Sequence, residues 1–283
     1  MALRRQPTAR QMRLAVELRR LREAAGLTAR EAAALLGVGS AQISQIESGL
    51  TGVSEKRLRL LAGHYRCTDE EFIDALVAMA GDRSRGWWEE YRGLLPASFL
   101  DLAELDHHAR YQHNVAILFV PGLLQTEDYA RAVFSSRIPK LTENELELRV
   151  RHRMARAVVI EDPAPLSCDS VIHESALRIR VSDRAVSRAQ LIRILELSEV
   201  DHVTVRVIPF DLDGFSMASS TMTYVGGSVP KLDTVVRDHP HGALYFDEVD
   251  QLAMYRLRFQ DVKAASLTPE RSRDFIHRLT KEL

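Results

Sequence analysis

The chain has only two cysteines in 283 residues, Cys67 and Cys168, and they lie far apart in sequence. Neither has a neighbouring cysteine to form a metal or redox pair, and a disulfide framework is excluded. No uninterrupted apolar run approaches the roughly 20 residues that a membrane-spanning helix needs. The basic start MALRRQPTARQMR lacks the apolar core of a signal peptide, so the expected location is the cytoplasm, with no membrane partner. There is no GxSxG elbow, no P-loop and no GxGxxG, which removes the usual signatures of a hydrolase, a nucleotide-binding enzyme and a dinucleotide-binding enzyme. No fixed-period repeat is present. The near absence of net charge, −1 overall, is deceptive. Residues 1–66 carry twelve Lys and Arg against five Asp and Glu, net +7, and residues 67–283 carry twenty-six against thirty-four, net −8. A basic head on an acidic body favours attraction of the head to phosphate, because Lys and Arg gain affinity by releasing condensed counterions.

Within that head, Gly37–Gly49 (GVGSAQISQIESG) reads as a turn leading into a short helix over residues 40–48. Ile43 and Ile46 are three apart and share one face. At about 100° per residue, the opposite face carries Ala41, Ser44, Gln45 and Ser48, small or amide-bearing groups that can approach base edges. Upstream, Thr28 and Glu31 form a capping-box pair for a helix reaching Leu36. The spacing therefore predicts helix, turn, recognition helix. An ordinary helical hairpin with solvent-facing Ser and Gln is the competing reading.

These residues carry a resemblance to a known family. Gly26-Leu27-Thr28, Leu35-Leu36-Gly37-Val38 and Ile43-Ser44-Gln45-Ile46-Glu47-Ser48-Gly49 resemble the XRE, or lambda-repressor-like, helix-turn-helix proteins. That family commonly has a phosphate-contacting Gln at the start of its first motif helix, where this chain has Ala29 beside Arg30. The expected DNA contacts are Ser40, Ala41, Ser44 and Gln45 towards bases, and Thr28, Arg30 and Ser48 towards phosphates. Gln45 is the strongest base reader, since its amide can pair bidentately with adenine.

Taken in order, Thr8 with Gln11 caps a first helix running on Leu14, Leu18, Leu21 and Ala25 to Gly26. Its remaining faces carry Arg10, Arg13, Arg19, Arg20 and Arg22, suited to solvent or to DNA backbone. Ser54 caps a fourth helix and Thr68 with Glu71 a fifth, closing an all-α five-helix unit over residues 1–80. Gly81–Gly86 has linker composition. Residues 87–283 read as a larger α+β domain. Trp87 and Trp88 are expected as core anchors at its start. Helices are expected at Thr126–Phe134, Arg149–Ala157, Ala185–Leu197 and Glu248–Ala264, and from Thr268-Pro269 onward. Strands are expected at Ser170–His173, Val203–Ile208, Thr221–Val225, Thr234–Arg237 and Ala243–Phe246, with a short apolar run at Val115–Val120.

A second set of motifs is similar to actinomycete regulators in which the helix-turn-helix is followed by a domain of unknown function. It comprises Trp87-Trp88, Val120-Pro121-Gly122-Leu123-Leu124-Gln125-Thr126-Glu127-Asp128-Tyr129-Ala130-Arg131, Arg151-x-Arg153-x-Ala155-Arg156, His173–Arg178, Gln190-Leu191, Val203–Phe210 and Ala264–Leu267. The resemblance implies an antitoxin-like transcriptional regulator that acts on an operator of double-stranded DNA and is modulated by a short partner protein; a homodimer is expected separately, because one short recognition helix contacts few base pairs. It brings no catalytic residues. His107, His108 and His113, and His239-Pro240-His241, lack ligand spacing, an accompanying Cys or HExxH, so no metal and no cofactor is expected. Ser216, Ser219 and Ser220 read as a loop, and Glu89-Glu90 and Glu127-Asp128 as solvated or helix-start charges. The rivals are a C-terminal domain that senses a small molecule and, more weakly, one that is an enzyme.

Overall fold

The computed structural model describes residues 7–81, 86–161, 165–213, 220–239 and 242–283. The chain divides into two compact units, Met1–Glu90 with Leu100–Leu105, and Tyr91–Phe99 with Asp106–Leu283. Much of the expected linker, and Ser216, Ser219, Pro240 and His241, lie outside the described residues.

Local capping chemistry sets the helices of the first unit. In α1 (Ala9–Ala24) and α2 (Ala29–Leu36), Thr8 with Gln11 and Thr28 with Glu31 complete reciprocal capping boxes. Gly37 ends α2 at φ 69°, in the left-handed region that glycine enters without Cβ strain. The recognition segment is α3 (Ser40–Ile46), two residues shorter than expected, because Gly49 at φ 71° turns the chain away. Ser54 caps α4 (Glu55–His64). At the start of α5 (Glu70–Gly81), Asp69 accepts from the Phe72 N–H at 3.1 Å, so the cap is Asp69 rather than Thr68. Leu18, Ala32, Ile43, Ile46, Leu58, Leu61, Phe72 and Leu76 form the core, and Trp88 is buried too. The arginines of α1 do not make one free basic stripe. Arg13 and Arg20 pair with Glu17, Arg19 with Glu23, and Arg22 with Glu47.

The second unit is built on a six-stranded mixed sheet in the order β3-β2-β1-β4-β5-β6. Its strands are β1 (Tyr111–Ala116), β2 (Ser167–His173), β3 (Val203–Ile208), β4 (Met222–Gly226), β5 (Thr234–His239) and β6 (Gly242–Phe246). The first three run parallel, and β4, β5 and β6 pair antiparallel in turn. One face packs Cys168, Ile172, Val205 and Val207 against α10 (Arg184–Leu197) and α12 (Pro269–Glu282). The other packs Val115, Val171, Tyr224 and Val235 against Leu252, Tyr255, Phe259 and Val262 of α11 (Val249–Ala265). The remaining helices are α6 (Ala97–His108), α7 (Glu127–Ser135), α8 (Glu143–Ala157) and the single turn α9 (Glu174–Arg178).

Two features depart from the sequence expectation. The central strand β1 lies upstream of the apolar run, most of which is loop, with Leu118 and Phe119 exposed. Buried Gln112 and Asn114 replace the aliphatic residues that such a strand usually shows. Gln112 donates to Asp106 at 2.9 Å, Asn114 donates to Gln112 at 3.0 Å and to Ser170 at 3.2 Å, and Thr223 donates to Asn114 at 3.0 Å. The pairing makes the burial of these amides tolerable. The second departure is α8, which begins at Glu143 rather than Arg149 because Thr142 and Glu145 form a third capping box.

Candidate nucleic-acid interface

In α3 the sequence periodicity becomes geometry. Ile43 and Ile46 are buried under the helix, while Ser40, Ala41, Ser44 and Gln45 are exposed. That outward face carries no charge, so nothing on it repels a phosphate-lined groove. Gln45 is also oriented. Its side-chain oxygen accepts from the Thr51 hydroxyl at 3.3 Å, and its main-chain carbonyl accepts from Leu50 N–H at 3.0 Å and Thr51 N–H at 3.2 Å. The amide nitrogen and a second lone pair on the oxygen remain for an adenine edge. Sequence reading missed Thr51, since nothing in the local pattern distinguishes it from any loop threonine.

The three residues assigned to phosphate differ. Arg30 is exposed at the start of α2 and suited to a phosphate. The Thr28 hydroxyl accepts from Glu31 N–H at 3.2 Å and donates to the Glu31 carboxylate at 2.7 Å, so capping occupies it and holds that carboxyl below its usual range. Ser48 lies beyond the helix end, half-buried, its hydroxyl donating to the Gln45 carbonyl at 3.1 Å.

What fixes α3 is an ion pair that no local pattern announces. Arg22 of α1 grips Glu47, the residue capping α3, through Nε at 2.7 Å and Nη2 at 2.8 Å, and its Nη1 donates to the Leu27 carbonyl at 2.7 Å. The fork geometry is the strong bidentate form. Both side chains are largely buried, at 10% and 8% exposure. One guanidinium thereby joins the end of α1, the entry to α2 and the end of α3. Tyr65 is buried nearby, and burial, with the Glu47 charge, pushes its phenol up to about 12.

Several histidines of the second unit, His107, His108, His113, His152 and His173, contact other rings. His113 stacks on Phe259 at 4.4 Å, and burial lowers its pKa. His107 and His108 meet each other edge-on. Among the described residues no group of three His, Cys, Asp or Glu side chains could hold a metal ion. No described helix is long and apolar enough to cross a membrane.

This first unit is an XRE-like helix-turn-helix domain, and residues 13–74 match a helix-turn-helix family directly. The chain is accordingly a DNA-binding regulator. Residues 99–278 match the domain of unknown function DUF5753, which is more than half of the chain, and the chain belongs to that family. No curated protein and no solved structure matches it.

Proposed function

We propose that this chain is a cytoplasmic, nucleoid-associated transcriptional regulator of the antitoxin-like actinomycete kind, a homodimer that binds an operator and catalyses nothing. The observation that carries the reading is the exposed, uncharged Ala41-Ser44-Gln45 face of α3, held from beneath by Arg22 and Glu47 within residues 1–66, whose net charge is +7. DNA binding resides in residues 1–80. Dimerisation and the response to a short partner protein reside in residues 87–283. A two-fold pair of recognition helices reads two half-sites about 34–36 Å apart, which supplies the specificity that one seven-residue helix lacks. A partner alters operator affinity only by binding the competent and incompetent arrangements unequally, by about 1–3 kcal/mol.

Sedimentation of the full chain and of residues 1–80, each with and without operator, tests the division. The full chain is expected to be dimeric, and the isolated head monomeric and weaker on DNA. A head that dimerises at the concentration at which the full chain does would remove the proposed role of the C-terminal domain.

A further inference from the structure

The two motif stretches PGLLQTEDYA and RHRMAR, which the DNA-binding reading does not use, meet in the second unit. Gly122 opens the short turn Gly122–Leu124, and Arg153 and Arg156 project from α8 onto it. A Cβ at residue 122 would stand 2.4 Å from Arg156 Nη2 and 3.1 Å from Arg153 Nη1. Only the missing side chain leaves room there for two guanidinium ends. Such like charges repel, and burial strengthens the repulsion.

The compensation around them is incomplete. Arg156 has one carboxylate, Asp106, with Nε 3.2 Å from Oδ2 but neither atom in hydrogen-bond geometry. Arg153 donates to the neutral Gln125 amide oxygen at 2.6 Å and lies 4.8 Å over the Phe134 ring, and among the described residues it forms no ion pair. Two cations therefore face one buried anion, Asp106, itself also held by Gln112, and the exposed Asp238 carboxylate, which acts on Arg153 without an ion-pair contact among the described residues. Burial and then the Arg156 charge lower Arg153 to about 9, and the Asp238 and Asp106 charges oppose that shift without cancelling it. Gln125 and Phe134 fix the plane and direction of Arg153, so its fork is preorganised. Gly122 and Arg153 both keep partial exposure, which leaves a way in from solvent.

We propose that Gly122, Arg153 and Arg156 form a binding site for an oxyanion, the phosphate or carboxylate group of a small ligand. Guanidinium pairs match such groups through parallel charge-assisted hydrogen bonds. The inference stands apart from the DNA-binding reading, because it uses only the second unit.

Calorimetric titration of the full chain with orthophosphate and with succinate, against chloride at constant ionic strength, tests it. At least one of the two oxyanions is expected to bind saturably, phosphate alone indicating a phosphoryl ligand and succinate alone a carboxylate. Gly122→Ala should displace the flexible end of Arg156, and Arg153→Gln removes a charge. Each variant, with folding checked by circular dichroism, should weaken binding about tenfold or more. Absence of saturable binding by the wild type, or folded variants that bind as tightly as it does, would overturn the proposal.

Discussion

Replacing Arg22 with Met keeps most of the aliphatic length of the side chain and deletes the fork that holds Glu47. The carboxylate would be left at 8% exposure without its cation, and the Leu27 carbonyl without its 2.7 Å donor. Removing one partner of a buried pair costs about 3–5 kcal/mol, mostly as the penalty of an uncompensated buried charge. Against a domain stability of about 5–15 kcal/mol, that loss leaves a marginal head. With an m-value of about 1–2 kcal/mol/M, the urea midpoint of the transition that reports the head should fall by about 1.5–5 M. Arg22→Met/Glu47→Leu removes both charges and should recover most of the loss, since apolar replacement of an entire buried pair is often close to neutral. Urea unfolding of the full chain, followed by far-ultraviolet circular dichroism and by Trp88 fluorescence, provides the readout. A single variant within about 1 kcal/mol of wild type, or a double variant no more stable than the single, would refute the argument that this pair seats α3.

Gln45→Ala should cost about 1–3 kcal/mol at one base position in each half-site and relax discrimination there, as read by competition with singly substituted operators. Equal loss on every sequence would make Gln45 a backbone contact instead. Thr28→Ala should lower stability by about 1 kcal/mol through loss of the α2 cap and leave the operator affinity of the folded chain unchanged, whereas loss of a direct phosphate contact would weaken binding alike on every sequence. His152, buried beside Arg156 and Arg153, is held down to about 3 by burial first and by those charges second. The folded chain thus refuses a proton that the unfolded chain accepts, so stability falls as pH drops from about 6.5, by up to about 1.4 kcal/mol per unit. Burial raises Asp106 to about 6, and its earlier protonation in the folded state offsets part of that fall. His152→Gln should flatten the fall between pH 6.5 and 4 in denaturation midpoints, and an unchanged profile would contradict the assignment.

Helix starts were the most legible feature of this sequence, because a cap is a local chemical signal. Thr8, Thr28, Ser54 and Thr268 accept the hydrogen bonds that their positions imply, whereas Asp69 takes the place expected for Thr68, and Thr126 and Thr142 act as caps that the sequence reading did not assign. Five strands were legible from β-branched and aromatic content. The sixth, β1, was not, because its buried positions hold Gln112 and Asn114, whose partners come from α6, β2 and β4 and appear only after folding. The outward face of α3 was legible from a spacing of three between two isoleucines. Its foundation was not, since Arg22 reads as one more surface arginine until Glu47, 25 residues away, arrives beside it. The juxtaposition of Gly122 with Arg153 and Arg156 is equally non-local. Both stretches stood out as motifs, yet nothing in either predicted that they would meet.

If α3 reads DNA in the major groove from a phosphate-anchored head, the full chain should select a specific duplex and hold it by salt-sensitive contacts. Selection of double-stranded DNA from a random pool by the full chain, followed by titration of the selected site across salt, tests it most directly. Enrichment of a two-fold symmetric site with half-sites about one helical turn apart is expected, with an affinity that falls steeply and linearly in log K against log salt. A pool without enrichment, or a selected site bound with a flat salt dependence, would contradict it.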